Sequence, residues 1–465
     1  MNSKILIRGA EAVMTGLPGG DARAGRSDIR IVDGRIAALG RIEPQPGEEV
    51  IDASGCVVYP AWVNTHHHLF QTVMKGTPES LNSSLREWLV QVPGRYRKEI
   101  DEQAFRISAR LGMVELLLSG CATIADHNYL YFPGMPFDSS AILFEEAERF
   151  GLRFVLCRGA MTRAQPGFDE VPAYLKPETC EGVIRHVERL VGQYHQTDPF
   201  AFRRVVMAPT TPAHRVHPHE LREFARAARR MGIKLHSHLS ENMDYITYFR
   251  ENHKCSPVEF CEEHEWLGPD VWFAHLCHVT DAEIATLART GTGIAHCPGS
   301  NSRIGSGIAP VPAMQAAGMK VSLAVDGSAS NEPGDMLSEA HHAWYVHRSA
   351  KGATGTPDGG ADAVSFEDVV NWGTAGGAGI LGIQTGVLAP GFAADVAIYS
   401  LDDPRCFGMH DAAVAPVALG PVVGLKRLIC GGKTIVADGK IPGLDLAELR
   451  ARSREAVARL RKARA

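Results

Sequence analysis

The sequence has no CxxC pair and no apolar run near the roughly 20 residues that span a bilayer. Nor has it an excess of base: 48 Lys and Arg stand against 53 Asp and Glu, a formal charge of −5. The first absence removes a zinc knuckle or a disulfide framework, so the ten scattered cysteines read as free core residues. The second argues against a membrane-spanning protein. The third removes the basic face on which a nucleic-acid binder relies. HExxH and GxSxG are missing as well, which excludes zincin and serine-hydrolase chemistry built on those motifs. The opening MNSKILIRGAEAVMTG alternates like a strand and lacks the apolar core and cleavage site of a secretion signal. A cytoplasmic protein acting on a small molecule, with neither nucleic acid nor membrane as partner, is the expectation.

What the chain does have is length: its 465 residues suit a barrel of roughly 250–350 residues plus a smaller domain. Between residues 55 and 330 short apolar runs alternate with amphipathic stretches. The runs are CVVYPAWVNTHHH, ATIADH, RFVLCRG, RVVMAPT, KLHSHL, VWFAHLC, GTGIAHC and VSLAVDG. Eight strands separated by helices predict an α/β fold, a (β/α)8 TIM barrel. The stretch Gln103–Ser119 is one such helix, with Phe105, Ala109, Leu111, Val114, Leu116 and Leu117 along a stripe. Both ends of the chain are instead short strands broken by Gly and Pro. They are expected to join into a small β-sandwich, giving domains 1–57, 58–380 and 381–465. Residues 333–380 read as helices, 352–363 as a flexible loop and 443–465 as a charged terminal helix. Gly377, Gly379 and Gly382 fit GxGxxG but close a helical stretch, where a nucleotide loop would need a strand before it.

The chemistry sits where the strands end, which in a TIM barrel is the active face. Those ends carry His66, His67, His68, His127, His236, His238, His275, His296 and Asp326. So many buried imidazoles need partners, and a metal satisfies several at once. His66 and His68 stand two apart, on one face of a strand, with His67 turned away as a structural residue. With His238 and Asp326 they form a set of three nitrogens and one carboxylate that leaves room for water. Zinc is the first expectation for this single divalent ion and iron the second. Glu241, three residues past His238, is placed to shuttle protons between water and leaving group. Asp326 can take the proton of the attacking water and His275 can orient it. A metal lowers the pKa of water from about 15.7 toward 7.

The motifs NTHHHLFQ, HSHLSEN, FAHLCH and SLAVDGSASN resemble the amidohydrolase superfamily, in its deaminase and s-triazine-hydrolase branch. The resemblance runs to GVLAPGFAADVAIY near the end and covers nearly the whole chain. It implies His66, His68, His238 and Asp326 as metal ligands, with Glu241 and His275 as acid–base residues. Binuclear members need a carboxylated lysine closing the fourth strand, or the third. RRVVMAPTT and RFVLCRG hold no lysine, so one metal is expected, with His127 in the pocket and not a ligand. The H-x-E…P-C-x-x-C signature of the other zinc-deaminase fold is absent, so any deamination must use the barrel.

HxHxxQ, from His66 to Gln71, is similar to the pattern of guanine and 8-oxoguanine deaminases, where the glutamine amide reads an oxo-bearing ring. The chain as a whole looks most like deaminases of 8-oxoguanine and isoxanthopterin. That implies an aminohydrolase releasing ammonia from a fused heterocycle; an s-triazine hydrolase is the alternative. Family habit implies a homo-oligomer. Further pocket candidates are Trp88, as a ring cover or core residue, and Arg158, as an oxygen contact or an ordinary salt bridge. Tyr129 and His296 are candidates for ring contacts, and Ser300–Arg303 and Ser328–Asn331 for the mouth.

Overall fold

The computed structural model describes residues 4–164 and 176–462. Its centre is an eight-stranded parallel sheet in which each strand pairs with the next along the chain. The strands are β1 (Trp62–Asn64), β2 (Cys121–Asn128), β3 (Arg153–Ala160) and β4 (Arg203–Pro209). They continue as β5 (Leu235–Leu239), β6 (Val271–His275), β7 (Gly293–His296) and β8 (Lys320–Leu323). The seam between β8 and β1 is drawn together by few bonds. Thr65 Oγ1 and Ser322 Oγ are 2.7 Å apart, and the Asp326 amide donates to the His66 carbonyl at 3.2 Å. The expected TIM barrel is therefore what the chain forms.

Strand residues alternate between two apolar clusters, as a pleat requires. Val63, Ala125, Val155, Cys157, Val206, Ala208, Trp272, Ala274 and Ala295 fill the inner one. Their neighbours Ile124, Phe154, Leu156, Val205, Met207, Phe273 and Ile294 face out onto the helices. Small residues dominate inside because the barrel lumen is narrow. The outer helices are cut by side-chain caps: Asp101 accepts from the Ala104 amide to start Glu102–Leu118, whose Phe105, Ala109, Val114, Leu116 and Leu117 are buried.

The first apolar run divides. Cys56–Pro60 leaves the barrel and pairs antiparallel with Val396–Ser400 and parallel with Ala12–Met14, while Trp62 onward enters β1. Chain ends thus share a six-stranded sheet, and residues 4–52 add a four-stranded one. Ile5, Ile7, Ile29, Ile31 and Ile51 of the smaller sheet pack on Val13, Val58, Val396, Ile398 and Ile429 of the larger, giving the sandwich expected from both termini. Asp395 ties it to the barrel by a buried ion pair with Arg153 at 2.7 Å. Helices Met336–Ala353, Phe366–Asn371 and Gly377–Leu381 follow β8. Gly382 ends the last of them in a left-handed cap, so the GxGxxG match is a helix stop. Residues 354–365 connect by turns. The terminal helix spans Leu446–Lys462, and the last three residues of the charged run lie outside the described residues. All ten cysteines are free, and among the described residues no helix is long and apolar enough to cross a membrane.

Candidate active site

The carboxyl ends of the strands bring His66, His68, His127, His238, His275 and Asp326 into one buried cluster, with the partly exposed Glu241 beside it. Backbone partners fix which imidazole nitrogens face inward. His68 Nδ1 donates to the His127 carbonyl at 2.7 Å and His238 Nδ1 to the Thr210 carbonyl at 2.6 Å. Each carbonyl only accepts, so each ring keeps its hydrogen on Nδ1 and presents a bare Nε2. His66 reaches the same state through a relay. His236 Nδ1 donates to the Trp272 carbonyl at 3.0 Å, which leaves His236 Nε2 to accept from His66 Nδ1 at 2.7 Å.

Three bare nitrogens and a carboxylate then crowd together. His68 Nε2 is 3.2 Å from His238 Nε2, and His66 and His68 Nε2 are each 3.3 Å from Asp326 Oδ1. His66 Nε2 is buried with no hydrogen bond. Lone pairs set this close repel unless a cation lies among them, so the donor set fits a divalent metal. Burial also holds the imidazoles neutral, their ligand form, pushing His68 down to about 4. One nitrogen each of His66, His127 and His238 falls within 4.8 Å, as do donor atoms of His66, His275 and Asp326. His127 bonds the Ala208 carbonyl through Nε2 at 2.8 Å and stacks on His238.

Acid–base groups stand beside these donors. Glu241 Oε2 lies 3.8 Å from His275 Nε2, and burial raises the Glu241 carboxyl to about 7. His275 Nδ1 donates to Asn301 Oδ1 at 2.9 Å. Asp326 Oδ2 accepts from Ser300 Oγ at 2.6 Å, while its Oδ1 accepts from the Gly327 amide at 2.7 Å. Both His275 and Asp326 have left-handed backbones, φ 77° and 61°. For such residues that conformation is strained. At His275 it turns the side chain into the site against the strand alternation, in which Phe273 faces out, while Asp326 shares the inward parity of Ala324.

Above the cluster opens a cavity of about 470 Å³, lined in part by Trp88, Arg97, Tyr129, Met161 and Arg215. Trp88 borders it as expected and is anchored by Nε1 donating to the Ala329 carbonyl at 3.0 Å. Tyr129 borders it too. Gln71 does not: it is fully buried, and its Nε2 donates to Tyr129 Oη at 2.6 Å. Arg158 also misses the cavity. It points outward to Glu178 at 2.5 Å and to His186, the salt-bridge alternative. His296 faces out likewise and pairs with His347 at 3.0 Å. Both occupy the strand positions that alternate toward the helices. His67 is turned from the donors, its Nδ1 accepting from the His68 amide. Sequence reading missed Arg97, Arg215 and the His236 relay. Arg97 is deeply buried, which lowers its pKa to about 10 and leaves it charged at neutral pH.

Comparison with known proteins agrees with this geometry: residues 57–435 match the amidohydrolase family. The chain belongs to that family. It is a hydrolase, and two of its relatives are by name deaminases, enzymes acting on carbon–nitrogen bonds. It is 52% identical to an isoxanthopterin deaminase from an unknown prokaryotic organism, over 98% of this chain and 97% of the relative. It is 36% identical to the 8-oxoguanine deaminase of Pseudomonas aeruginosa, over 98% and 99%. Among solved structures, atrazine chlorohydrolase from Arthrobacter aurescens TC1 complexed with zinc aligns with TM-score 0.88 at 28% identity, covering 97% of this chain and all of that one (100%).

Proposed function

We propose that this amidohydrolase is a single-metal aminohydrolase that releases ammonia from a fused, oxo-bearing heterocycle, isoxanthopterin first and 8-oxoguanine second. The full-length 52% identity to an isoxanthopterin deaminase carries the reading. The gathering of His68, His238, Asp326, Glu241 and His275 at one cavity, with the buried His66 beside Asp326, supports it.

His66, His68 and His238 through Nε2, with Asp326, would hold the ion, zinc before iron. A divalent ion there supplies Lewis acidity and brings the pKa of water from about 15.7 toward 7. The chain's own groups manage the protons. Asp326 takes the proton of the attacking water, since its Oδ1 already faces the donor set. Glu241, held near neutral pKa by burial, exists in both protonation states at pH 7 and can deliver a proton to the departing amine. His275, fixed by Asn301, orients the water beside Glu241. Arg97 and Arg215 present donors to the oxygens of an oxidised ring, and Trp88 covers its face.

The test is ammonia release by metal-loaded protein from isoxanthopterin, pterin, 8-oxoguanine, guanine, cytosine and melamine, against Asp326→Asn. A fast signal on one bicyclic compound, lost in the variant, is expected. Silence on every bicyclic compound, with chloride released from chlorinated triazines, would overturn the reading in favour of the s-triazine alternative.

A further inference from the structure

Gln71 stands behind the cavity wall, yet it controls an atom on that wall. Its side-chain Oε1 is buried without a hydrogen bond and lies against Gly327, where a Cβ would collide with it. The Gly327 Cα hydrogens facing that atom favour an oxygen, because a C–H group can meet an acceptor but not an NH2. The amide is therefore oriented with Oε1 toward Gly327 and Nε2 toward Tyr129, 2.6 Å away. An amide nitrogen only donates. The phenol oxygen must accept from it, which sends the single phenol hydrogen elsewhere. Among the described residues Gln71 is the one hydrogen-bond partner of that oxygen. Tyr129 borders the cavity, its ring 4.8 Å from the His68 ring, so an unspent donor stands close to the metal ligands.

We infer that Gln71 makes Tyr129 a fixed hydrogen-bond donor to a ring oxygen of the bound heterocycle, so that the pair determines which oxidised rings are accepted. This rests on the aminohydrolase reading. It reverses the expectation that the Gln71 amide touches substrate: Tyr129 is the contact, and Gln71 a positioning residue acting through it. A ring lacking that oxygen leaves a buried O–H unpaired, and a site built around one hydrogen bond discriminates far more strongly than a shape filter.

The experiment compares metal-loaded wild type, Tyr129→Phe and Gln71→Glu on three pairs of rings differing in oxygenation. The pairs are isoxanthopterin and pterin, 8-oxoguanine and guanine, and guanine and 2-aminopurine. For each, kcat/KM for ammonia release and calorimetric Kd are measured. Gln71→Glu is the incisive change: a carboxylate accepts, draws the phenol hydrogen to itself and keeps the shape of the side chain. In one pair both variants are expected to cut the preference for the oxygen-bearing ring by about tenfold or more. The other member should change little, and metal content and Tm should hold. Tyr129→Phe alone decides the matter should the buried carboxylate prevent folding. Unchanged preference in every pair overturns the inference, as does an equal loss on both members, which marks a merely structural role. Absence of ammonia with a preference in Kd that collapses in the variants would retain the inference and sink the aminohydrolase reading instead.

Discussion

Replacing His236 by Phe should weaken metal binding without disturbing the packing around it. The His236 ring stacks on Trp272 with centroids 4.5 Å apart and planes 18° from parallel, a contact that phenylalanine can keep. What it cannot keep is the acceptor for His66 Nδ1 at 2.7 Å. The other two imidazole donors answer to backbone carbonyls, which no substitution at their own level removes. His66 alone depends on a side chain. In the variant its buried Nδ1–H is left unpaired, at a cost of about 1–3 kcal/mol. The ring escapes that cost by moving its hydrogen to Nε2, the atom that must stay bare to bind metal. Either way affinity falls, by about 10–100-fold from comparable outer partners. This corresponds to about 1.4–2.8 kcal/mol. His236→Gln, which restores an acceptor, should recover part of it. The assay is competition for zinc against a chromogenic chelator, with the Tm of metal-free protein as control. Metal binding by His236→Phe within twofold of wild type would refute the relay, as would a His236→Gln no better than the Phe variant.

Three further outcomes are expected. Glu241→Gln should lower kcat by about 10²–10⁴-fold with metal content intact, the range for losing a general acid–base group; the pH dependence of kcat near 7, where burial holds the wild-type carboxyl, should vanish with it. Asp126, fully buried with one oxygen accepting from the Leu69 amide and the other unpartnered, is raised to about 8 by burial. A raised carboxyl stabilises the fold fully below its unfolded pKa near 4 and loses that contribution as pH climbs to 8, so Asp126→Asn should flatten the fall in stability between pH 4 and 8, read by denaturant melts. Gly327→Ala should push Gln71 and His68 aside, its Cβ lying 3.2 Å from His68 Cβ, and lower kcat/KM on the preferred ring while Tm changes little.

How much of this was legible turns on the two-residue period of a strand. It placed His66 with His68, and the same counting explains what went astray. On β3, Cys157 faces in, so Arg158 must face out, and it meets Glu178. On β7, Ala295 faces in, so His296 faces out to His347. Both were proposed as pocket residues because they sit near strand ends, though their parity argued otherwise. His236 was visible by the opposite rule: it shares parity with His238 and so points inward, yet a histidine assigned no metal invites no role until its neighbour's hydrogen has to be accounted for. His275 breaks the rule in the other direction, whereas Asp326 keeps it, two residues on from the inward Ala324. The positive φ of His275 turns it inward from a position that alternation with Phe273 would misplace, and a backbone conformation leaves no trace in the order of side-chain types. The cavity's arginines were hidden for a third reason. Arg97 and Arg215 come from loops after β1 and β4, where only the folded path of the chain decides which of many arginines arrives over the histidine cluster. Strand ends therefore disclose the clustered histidines and carboxylates, whose types are rare and whose spacing is regular. The cavity wall is written in loops and in residues behind it such as Gln71, where one hydrogen bond separates a side chain that borders the cavity from one that fixes its orientation.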